Sequence, residues 1–375
     1  MLIYWIILGW VILFGILSQI TSKKVCIDSN LYENRVNIIM AITIFSIIIF
    51  FAGYRTSVAD TGAYIRMFNQ YPFMSDAKDI IMNQEAREPG FRFFSIFVKT
   101  YISENPNIWL SIIAVISGVG IMYPLYKYSC NFGISTFLFV ASTQFSWMFN
   151  GMRQFLVAAI IFSCTSLILK KRTLLYIVII VLLSTFHKSA LILIPMYFIA
   201  KEEPWSKRTL IFITVIILII LFTNKFTSIL DVIIQNSDYS SSIDEFKSTD
   251  DGTSLIRILV ESVPIIIAFI FRNKIKYKLT PVIKLSINMS LIATGLYIIS
   301  KIAKSGIMLG RLPIYFSLYN LILLPWLIKN ISEDKKERRL VNYLMVVCYL
   351  FYFYYQMVIA WGGMGYGSRI LNIWY

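Results

Sequence analysis

The sequence predicts an all-α, polytopic integral membrane protein. Of its 375 residues, 58% are hydrophobic and only 15% are charged, whereas soluble domains carry roughly 25% charged and about 45–50% apolar residues. The mean hydropathy is +0.70, and the apolar residues form unbroken runs rather than the periodic stripes of soluble helices. We therefore expect helices that cross a bilayer, in a single membrane domain over residues 1–375.

The apolar runs predict about twelve spans, because a spanning helix needs about 20 mostly apolar residues, with about 17–25 allowed. The run 189–200 is short and is either re-entrant or strongly tilted. The run 2–20 is interpreted as a span, since it lacks the basic flank and small-residue cleavage site of a signal peptide. The predicted spans are 2–20, 36–53, 107–126, 133–150, 155–169, 173–186, 189–200, 209–223, 255–271, 282–300, 312–328 and 340–361.

The distribution of basic residues predicts the orientation. One set of connections between spans contains 20 of the 35 Lys and Arg residues but only 7 of the 20 acidic residues, whereas the other set is nearly balanced. Since cytoplasmic loops are enriched in Lys and Arg, the basic set faces the cytoplasm and both termini face outward. Most of the formal charge of +15 therefore serves orientation and gives no reason to expect a nucleic-acid partner.

Two long connections are predicted to face outward. Loop 54–106 contains the run FRFFSIFVKTY (residues 91–101), which favours an amphipathic helix lying on the membrane. Loop 224–254 is acidic and rich in Ser and Asp, and we interpret it as a solvated spacer, with a mobile lid as the alternative. The glycine cluster at 362–367 (GGMGYG) is interpreted as a flexible exit from the last span.

The motifs of several enzyme classes are absent from the sequence. It has no Walker-type Gly-rich loop, no D-x-D pair for the metal ion of a sugar nucleotide, and neither H-E-x-x-H nor G-x-S-x-G. The four cysteines show no C-x-x-C spacing and no arrangement typical of an external disulfide. We therefore expect no cofactor, no metal and no reaction driven by a cytosolic nucleotide.

Two short polar patterns lie at the predicted outer ends of early spans. The first contains Arg55, Asp60 and Tyr64; the last two are four residues apart and share one face of a helix. The second is the turn with Arg153 and Gln154 between the fourth and fifth spans. Both fit a ligand site. The alternatives are an ordinary polar exit for Arg55 and snorkelling to lipid headgroups for Arg153.

Two further patterns contain the single histidine and a basic cluster. His187 precedes Lys188 at a break near the membrane boundary, where a functional role and a structural hydrogen bond are both reasonable. The other pattern has three cations, including Lys304 and Arg311, and is followed by Tyr315. Outer connections normally avoid such clusters, so a bound anion explains this one better than interfacial anchoring does.

The cations of these patterns are expected to converge on one anion at the outer interface. A charged group inside a span costs about 2.5–3.5 kcal/mol on insertion scales, so each of these cations needs a partner. A lipid-linked pyrophosphate fits, because Arg forks bind its oxygens bidentately while its lipid tail lies among the helices. The proposed ligands are Arg55, Arg153, Lys188, Lys304 and Arg311.

With these patterns, the sequence resembles the EpsG/Wzy-like bacterial exopolysaccharide and O-antigen polymerases. Each motif is short, but the ordered set is moderately specific, and it extends from residue 55 to residue 325 in a chain with the many spans typical of the family. The motifs are R-x(4)-D-x(3)-Y from Arg55, M-R-Q-F-L at 152–156, F-H-K-S-A-L at 186–191, and G-R-L-P-I-Y-F at 310–316 with a later L-L-P at 323–325.

One departure from the family pattern concerns the first motif. The family usually has Gly-Thr-Asp there, whereas this chain has Ala59 before Asp60 and Gly62 after it. The backbone turn is therefore expected to differ, which leaves the role of Asp60 open.

The resemblance implies a GT-C-like, metal-independent glycosyltransferase in the bacterial cytoplasmic membrane, with its active site facing outward. It would join oligosaccharide units carried on undecaprenyl pyrophosphate, and a flippase and a chain-length regulator are implied as further partners. The cations would bind and stabilise the pyrophosphate, and His187 or Asp60 would remove the acceptor proton. Tyr64, Gln154 and Tyr315 are expected to contact substrate.

Two other functions are considered beside polymerisation. A flippase of lipid-linked sugars would place polar residues along its spans and show two related halves, whereas here the polar groups concentrate at the predicted outer boundary and no repeat is found. An O-antigen ligase or O-acyltransferase has a similar layout. Ligation would give one transfer to a different acceptor, and acyl transfer would leave chain length unchanged.

Overall fold

The computed structural model describes residues 1–28, 31–76, 88–222, 252–306, 309–369 and 371–373, without the side chains of residues 24–34. The predicted acidic loop 224–254 therefore lies almost entirely outside the described residues. The chain divides into two compact units, the first formed by Met1–Leu191 with Ser332–Tyr375 and the second by Ile192–Ile331.

The described residues are mainly helical, with five short segments of 3₁₀ or π helix: Met74–Asp76, Gln144–Met148, Lys188–Ile192, Lys276–Lys278 and Tyr355–Ala360. In chain order the other elements are α1 Leu2–Ile20, β1 Lys23–Asp28, β2 Leu31–Arg35, α2 Ile38–Gly53, α3 Thr61–Gln70, α4 Pro89–Tyr101, α5 Pro106–Tyr128, α6 Phe132–Ala141, α7 Met152–Ser163, α8 Thr165–Leu169, α9 Thr173–Ser184, α10 Leu193–Ala200, α11 Lys207–Leu221, α12 Leu255–Ile270, α13 Arg272–Ile275, α14 Pro281–Ile302, α15 Ile314–Ser317, α16 Asn320–Ile331 and α17 Lys335–Tyr354.

The helices match the expectation of a helical membrane protein, and every predicted span overlaps at least one of them. Among the described residues, five helical stretches are long and apolar enough to cross a membrane: Leu2–Ile20, Pro106–Tyr128, Pro281–Ile302, Ile314–Ile331 and Lys335–Ala360. Shorter apolar helices follow the same pattern, as in α2, α6, α7 and α9. How many of these helices span the bilayer stays a prediction.

A short β-hairpin joins α1 to α2, which sequence analysis did not predict. Its strands pair antiparallel from Lys23 opposite Arg35 to Asp28 opposite Leu31, with an irregularity between Cys26 and Asp28. The pairing satisfies the backbone N–H and C=O groups of a connection that would otherwise need water.

The core of the first unit forms around α5, which packs against α2 on one side and α7 on the other. The approach of α5 to α7 depends on Gly120, because a Cβ there would lie 2.8 Å from the backbone oxygen of Ala159. Small residues at such crossings let helix backbones approach closely, which is how apolar helices gain packing energy inside a membrane. The packing fixes α7, whose first turn carries Arg153.

The C-terminal segment of the first unit is packed, in contrast to the flexible exit expected from its glycines. The hydroxyl of Tyr366 donates to the backbone oxygen of Phe51 at 3.0 Å, and Gly367 forms a β-bridge with Ser57. The hydroxyl of Tyr4 donates to the backbone oxygen of Met364 at 2.8 Å. The bonds of Tyr366 and Gly367 attach the C-terminal segment to the end of α2 and to the loop that leads to α3.

The core of the second unit forms around α14, which packs against α11, α12, α15 and α16. Asn288 of α14 is fully buried, and its amide donates to the carbonyl oxygens of Ala200 at 3.2 Å and of Glu202 at 2.7 Å. These carbonyls lie in the last turn of α10 and directly after it, where helix carbonyls lack intrahelical partners. A buried polar side chain thus joins α14 to the end of α10.

Candidate functional site

The start of α4 places a carboxylate beside the segment that contains the histidine. Glu88 precedes α4 with a left-handed backbone (φ 56°), and Pro89 occupies the first turn of the helix, a position that suits its fixed φ. The backbone N–H of Gly90 donates to the carbonyl of Thr185 at 2.9 Å. A Cβ on Gly90 would lie 2.1 Å from Thr185 Oγ1, so only glycine permits this approach.

Arg153 lies in the first turn of α7 and is held by an acid, a hydroxyl and two aromatic rings. Its Nη1 forms an ion pair with Glu88 Oε2, and its Nε donates to the hydroxyl of Tyr64 at 3.3 Å. The guanidinium carbon lies 5.4 Å from the ring centre of Tyr64 and 5.8 Å from that of Phe91. The Arg153 side chain is 33% exposed, so an oriented cation is open to solvent at one side.

His187 lies between α9 and the following 3₁₀ helix, and both of its ring nitrogens face polar side chains. Its Nε2 is 3.8 Å from Glu88 Oε1, and its Nδ1 is 2.7 Å from the hydroxyl oxygen of Ser189. Gln154 of α7 donates to the same hydroxyl oxygen at 3.2 Å. A polar chain of six side chains results, and we call it the first-unit cluster: Tyr64, Arg153, Glu88, His187, Ser189 and Gln154.

The first-unit cluster rests on an aromatic floor. Phe91 and Trp109 are buried together with Phe68, and the rings of Phe68 and Trp109 stack with centres 4.8 Å apart. Burial raises the pKa of the Tyr71 hydroxyl, although the guanidinium groups of Arg92 and Arg153 oppose that shift. The apolar floor lowers the local dielectric and so strengthens the charge interactions above it.

Arg55 is placed differently from the other predicted anion ligands. It is 1% exposed, and its guanidinium donates to the backbone oxygen of Ala52, to Thr61 Oγ1 at 3.0 Å and to the sulfur of Met152 at 3.1 Å. Burial lowers the pKa of the Arg55 guanidinium to about 10, an effect that nearby tyrosine hydroxyls partly oppose. This geometry favours a structural role.

The remaining residues of the first motifs divide between buried and exposed positions. Tyr64 is 9% exposed and joins the first-unit cluster. Asp60 is exposed at the start of α3, where its side chain makes no capping hydrogen bond. Lys188 is exposed beside His187.

The predicted ligands Lys304, Arg311 and Tyr315 lie in the second unit. Lys304 is exposed after α14 and has a left-handed backbone (φ 50°). The turn that follows is held by Ser300, whose hydroxyl donates to the carbonyl of Ser305 at 2.9 Å. Arg311 is partly exposed, whereas Tyr315 is buried.

Sequence analysis missed two members of the first-unit cluster, Glu88 and Ser189. For Glu88, the run Glu88-Pro-Gly at the start of an amphipathic helix was a usable signal. Proline favours the first turn of a helix, so the acid is expected at the N-terminus of that helix. Ser189 follows His187 by two residues, a spacing too common to single out. Within the described part of the chain, no three His, Cys, Asp or Glu side chains come together as a metal site requires.

Comparison with known proteins identifies the family of the chain from its sequence. The family model for the EpsG family matches residues 38–366, which include the whole first-unit cluster and the second-unit residues Lys304, Arg311 and Tyr315. No curated protein and no solved structure matches the chain. Because the matched region covers most of the sequence, the chain belongs to the EpsG family.

Proposed function

We propose that this membrane protein is a polysaccharide polymerase with a GT-C-like fold of about twelve spans. It joins undecaprenyl-pyrophosphate-linked oligosaccharide repeat units at the outer face of the bacterial cytoplasmic membrane. Membership of the EpsG family supports an exopolysaccharide polymerase-like protein. The observation that carries the proposal is the first-unit cluster, in which Arg153 and His187 flank one carboxylate.

The reaction needs an anion site and a base within reach of each other. An acceptor hydroxyl oxygen bonds to the anomeric carbon of the donor while the bond from that carbon to the pyrophosphate oxygen breaks. The bonding electrons leave with the pyrophosphate, and the hydroxyl proton passes to a base. Because pyrophosphate is a stable leaving group, the protein has to orient the reactants, stabilise the departing charge and accept one proton.

Arg153 suits the anion site. Its guanidinium is oriented by Tyr64 and Phe91 and is partly exposed, so its remaining donors can reach phosphate oxygens in the fork geometry that arginine provides. Lys188 is exposed next to the cluster and can add a second charge. Lys304 and Arg311 of the second unit stay proposed contacts for the anionic substrate. Tyr315, four residues after Arg311, stays a proposed substrate contact as well.

His187 suits the base better than Asp60 does. Its Nε2 faces Glu88, and its Nδ1 is fixed by Ser189, so a carboxylate stands ready to stabilise the imidazolium that proton capture creates. Asp60 is exposed, and its own side chain makes no capping hydrogen bond at the start of α3 that would orient it. We therefore assign the proton to His187.

Purified protein in nanodiscs, given lipid-linked repeat units and no nucleotide, tests the proposal. We expect a ladder of products that lengthens with time and disappears in Arg153→Ala and His187→Ala, with Arg311→Ala testing the second unit. Arg66→Ala is the matched control, because Arg66 is an exposed arginine of α3. A single transfer to another acceptor would identify a ligase instead, and lipid translocation in vesicles without product would identify a flippase.

A further inference from the structure

We propose that Glu88 is a positioning residue that occupies Arg153 until the pyrophosphate of the donor displaces it, and that it then moves to His187. This inference rests on the proposed function, because the displacing group is the leaving group of that reaction. The donor would thereby complete the base at the moment it binds, and no proton would be taken from an acceptor in its absence.

The two oxygens of Glu88 are engaged unequally. Oε2 forms the ion pair with Arg153 Nη1, whereas Oε1 lies 3.8 Å from His187 Nε2, beyond the 2.7–3.2 Å of a hydrogen bond from nitrogen to oxygen. The contact with arginine is therefore complete and the contact with histidine is not. A side-chain movement of about 1 Å would complete the second contact at the expense of the first.

Burial favours an exchange of cationic partners by the carboxylate. The Glu88 side chain is only 13% exposed, so the loss of the Arg153 cation would leave its charge less well compensated and would favour a new cation beside it. A pyrophosphate carries more negative charge than a carboxylate and can bind the guanidinium fork with two oxygens, so it competes well for Arg153. His187 Nε2 lies 3.8 Å from Glu88 Oε1, and His187 becomes a cation when it gains a proton from the acceptor, so it then attracts the carboxylate.

The backbone around Glu88 limits the exchange to its side chain. Pro89 fixes the start of α4, and Gly90 is hydrogen-bonded to Thr185 at 2.9 Å in a contact too close for any Cβ. The backbone of Glu88 therefore stays beside the segment that contains His187. Arg92 and Tyr71 are further charged or titratable groups near the exchange, because Tyr71 is influenced electrostatically by Arg92, Arg153 and Glu88.

The test uses Glu88→Gln in the full-length protein, with inorganic pyrophosphate as the probe. Glutamine keeps the size of the side chain and removes its charge, so Arg153 loses its competitor. We expect pyrophosphate to bind about three- to tenfold more tightly by calorimetry, while kcat for polymerisation falls by about 10²-fold or more because His187 loses its carboxylate. If Glu88→Gln only damaged the local structure, pyrophosphate would bind more weakly and kcat would also fall.

Matched variants separate the exchange from a general charge effect. Glu104→Gln removes an exposed acid of the same unit and should change neither quantity. In an Arg153→Ala background, Glu88→Gln should no longer tighten pyrophosphate binding, since the two residues act through one interaction. Should Glu88→Gln fold poorly, Glu88→Asp serves, because its shorter carboxylate reaches Arg153 less well and should also tighten binding.

Failure of this inference and failure of the proposed function give different results. If the protein polymerises but Glu88→Gln binds pyrophosphate no more tightly than the natural chain, Glu88 is not the competitor and the inference is wrong. If pyrophosphate binding tightens as expected but no product forms under any condition, the competition of Glu88 with pyrophosphate for Arg153 stands, while the polymerase assignment and the move to His187 during the reaction are wrong.

Discussion

Arg55 and Arg153 lie in the same compact unit, and sequence analysis predicts the same anion-binding role for both. The structure gives them different surroundings. Arg55 is 1% exposed, and its guanidinium contacts neutral groups: two oxygens, a sulfur and the ring of Phe149 at 5.9 Å. Arg153 is 33% exposed and pairs with the carboxylate of Glu88.

This difference teaches that exposure and the charge of the partner separate a structural arginine from one that binds a ligand. Arg55 ties the end of α2 and the start of α3 to Met152, the residue before Arg153. The buried guanidinium of Arg55 therefore helps to fix the position of the backbone segment that carries Arg153. Arg153, by contrast, has a partner that a stronger anion can replace.

The largest effect is expected from Arg153→Ala. Loss of the oriented cation should lower the polymerisation rate by about 10²–10³-fold. The thermal unfolding midpoint should fall less than in Arg55→Ala, because Arg153 is 33% exposed, although Glu88 loses its ion-pair partner. Arg153→Lys should recover only a small part of the rate, since an ammonium cannot provide the arginine fork. The polymerisation rate on lipid-linked repeat units and the thermal unfolding midpoint are measured on the same preparations of each variant. An unfolding shift as large as that of the Arg55 variant would break the comparison.

Arg55→Ala should act on stability instead. It leaves a cavity and strands hydrogen-bond acceptors in the core, which together cost about 2–4 kcal/mol. The thermal midpoint should fall, and polymerisation per folded molecule should stay within a few-fold of the natural protein. Arg55→Lys keeps the charge but loses most of the three contacts, so it should be nearly as unstable. Normal stability with weakened pyrophosphate binding would instead make Arg55 a ligand.

Gly90→Ala sharpens the comparison by moving the partner of Arg153 rather than the arginine. The new Cβ would lie 2.1 Å from Thr185 Oγ1, so α4 must shift away from the segment of His187. Overpacking of this kind costs about 1–3 kcal/mol, and we expect polymerisation to fall about tenfold. Gly9→Ala is the control, because nothing lies within 4 Å of a Cβ there. Equal activity of the two variants would show that the position of Glu88 is not critical.

The smallest effect is expected at alkaline pH. Burial lowers the pKa of Arg55 to about 10, below that of the unfolded chain at about 12.5. Between these values the unfolded chain binds more protons, so this residue makes the free energy of unfolding rise with pH, by about 1 kcal/mol between pH 9 and 11. Below pH 9 its contribution is flat.

The measurement is chemical unfolding of the natural protein and of Arg55→Met across pH 8–11. The natural protein should gain stability relative to the variant above pH 9.5. Burial also raises the pKa of the Tyr366 hydroxyl, which lowers stability in this range in both proteins and so cancels in the difference. Parallel curves would mean that the Arg55 cation is not desolvated, which would remove one side of the comparison.

Much of the fold was predictable because it depends on local composition. An apolar run of sufficient length forms a helix whatever follows it, since only internal hydrogen bonding satisfies a backbone in lipid. Each predicted span accordingly overlaps a helix, and the ordered motifs identify the family over residues 38–366. The β-hairpin between α1 and α2 was missed because its short strands carry six polar and five apolar residues, without the regular alternation that marks a half-buried strand.

By itself the sequence determined that the protein is a helical membrane protein and to which family it belongs. It also singled out His187, Arg153 and Tyr64. Only the tertiary structure decided which side chains meet. Glu88 and Arg153 are 65 positions apart, and Arg55 and Met152 are 97 apart. No local pattern encodes such pairs. The role of a buried or half-buried arginine depends on the group that pairs with its guanidinium. Packing between helices that are distant in the chain decides which group that is.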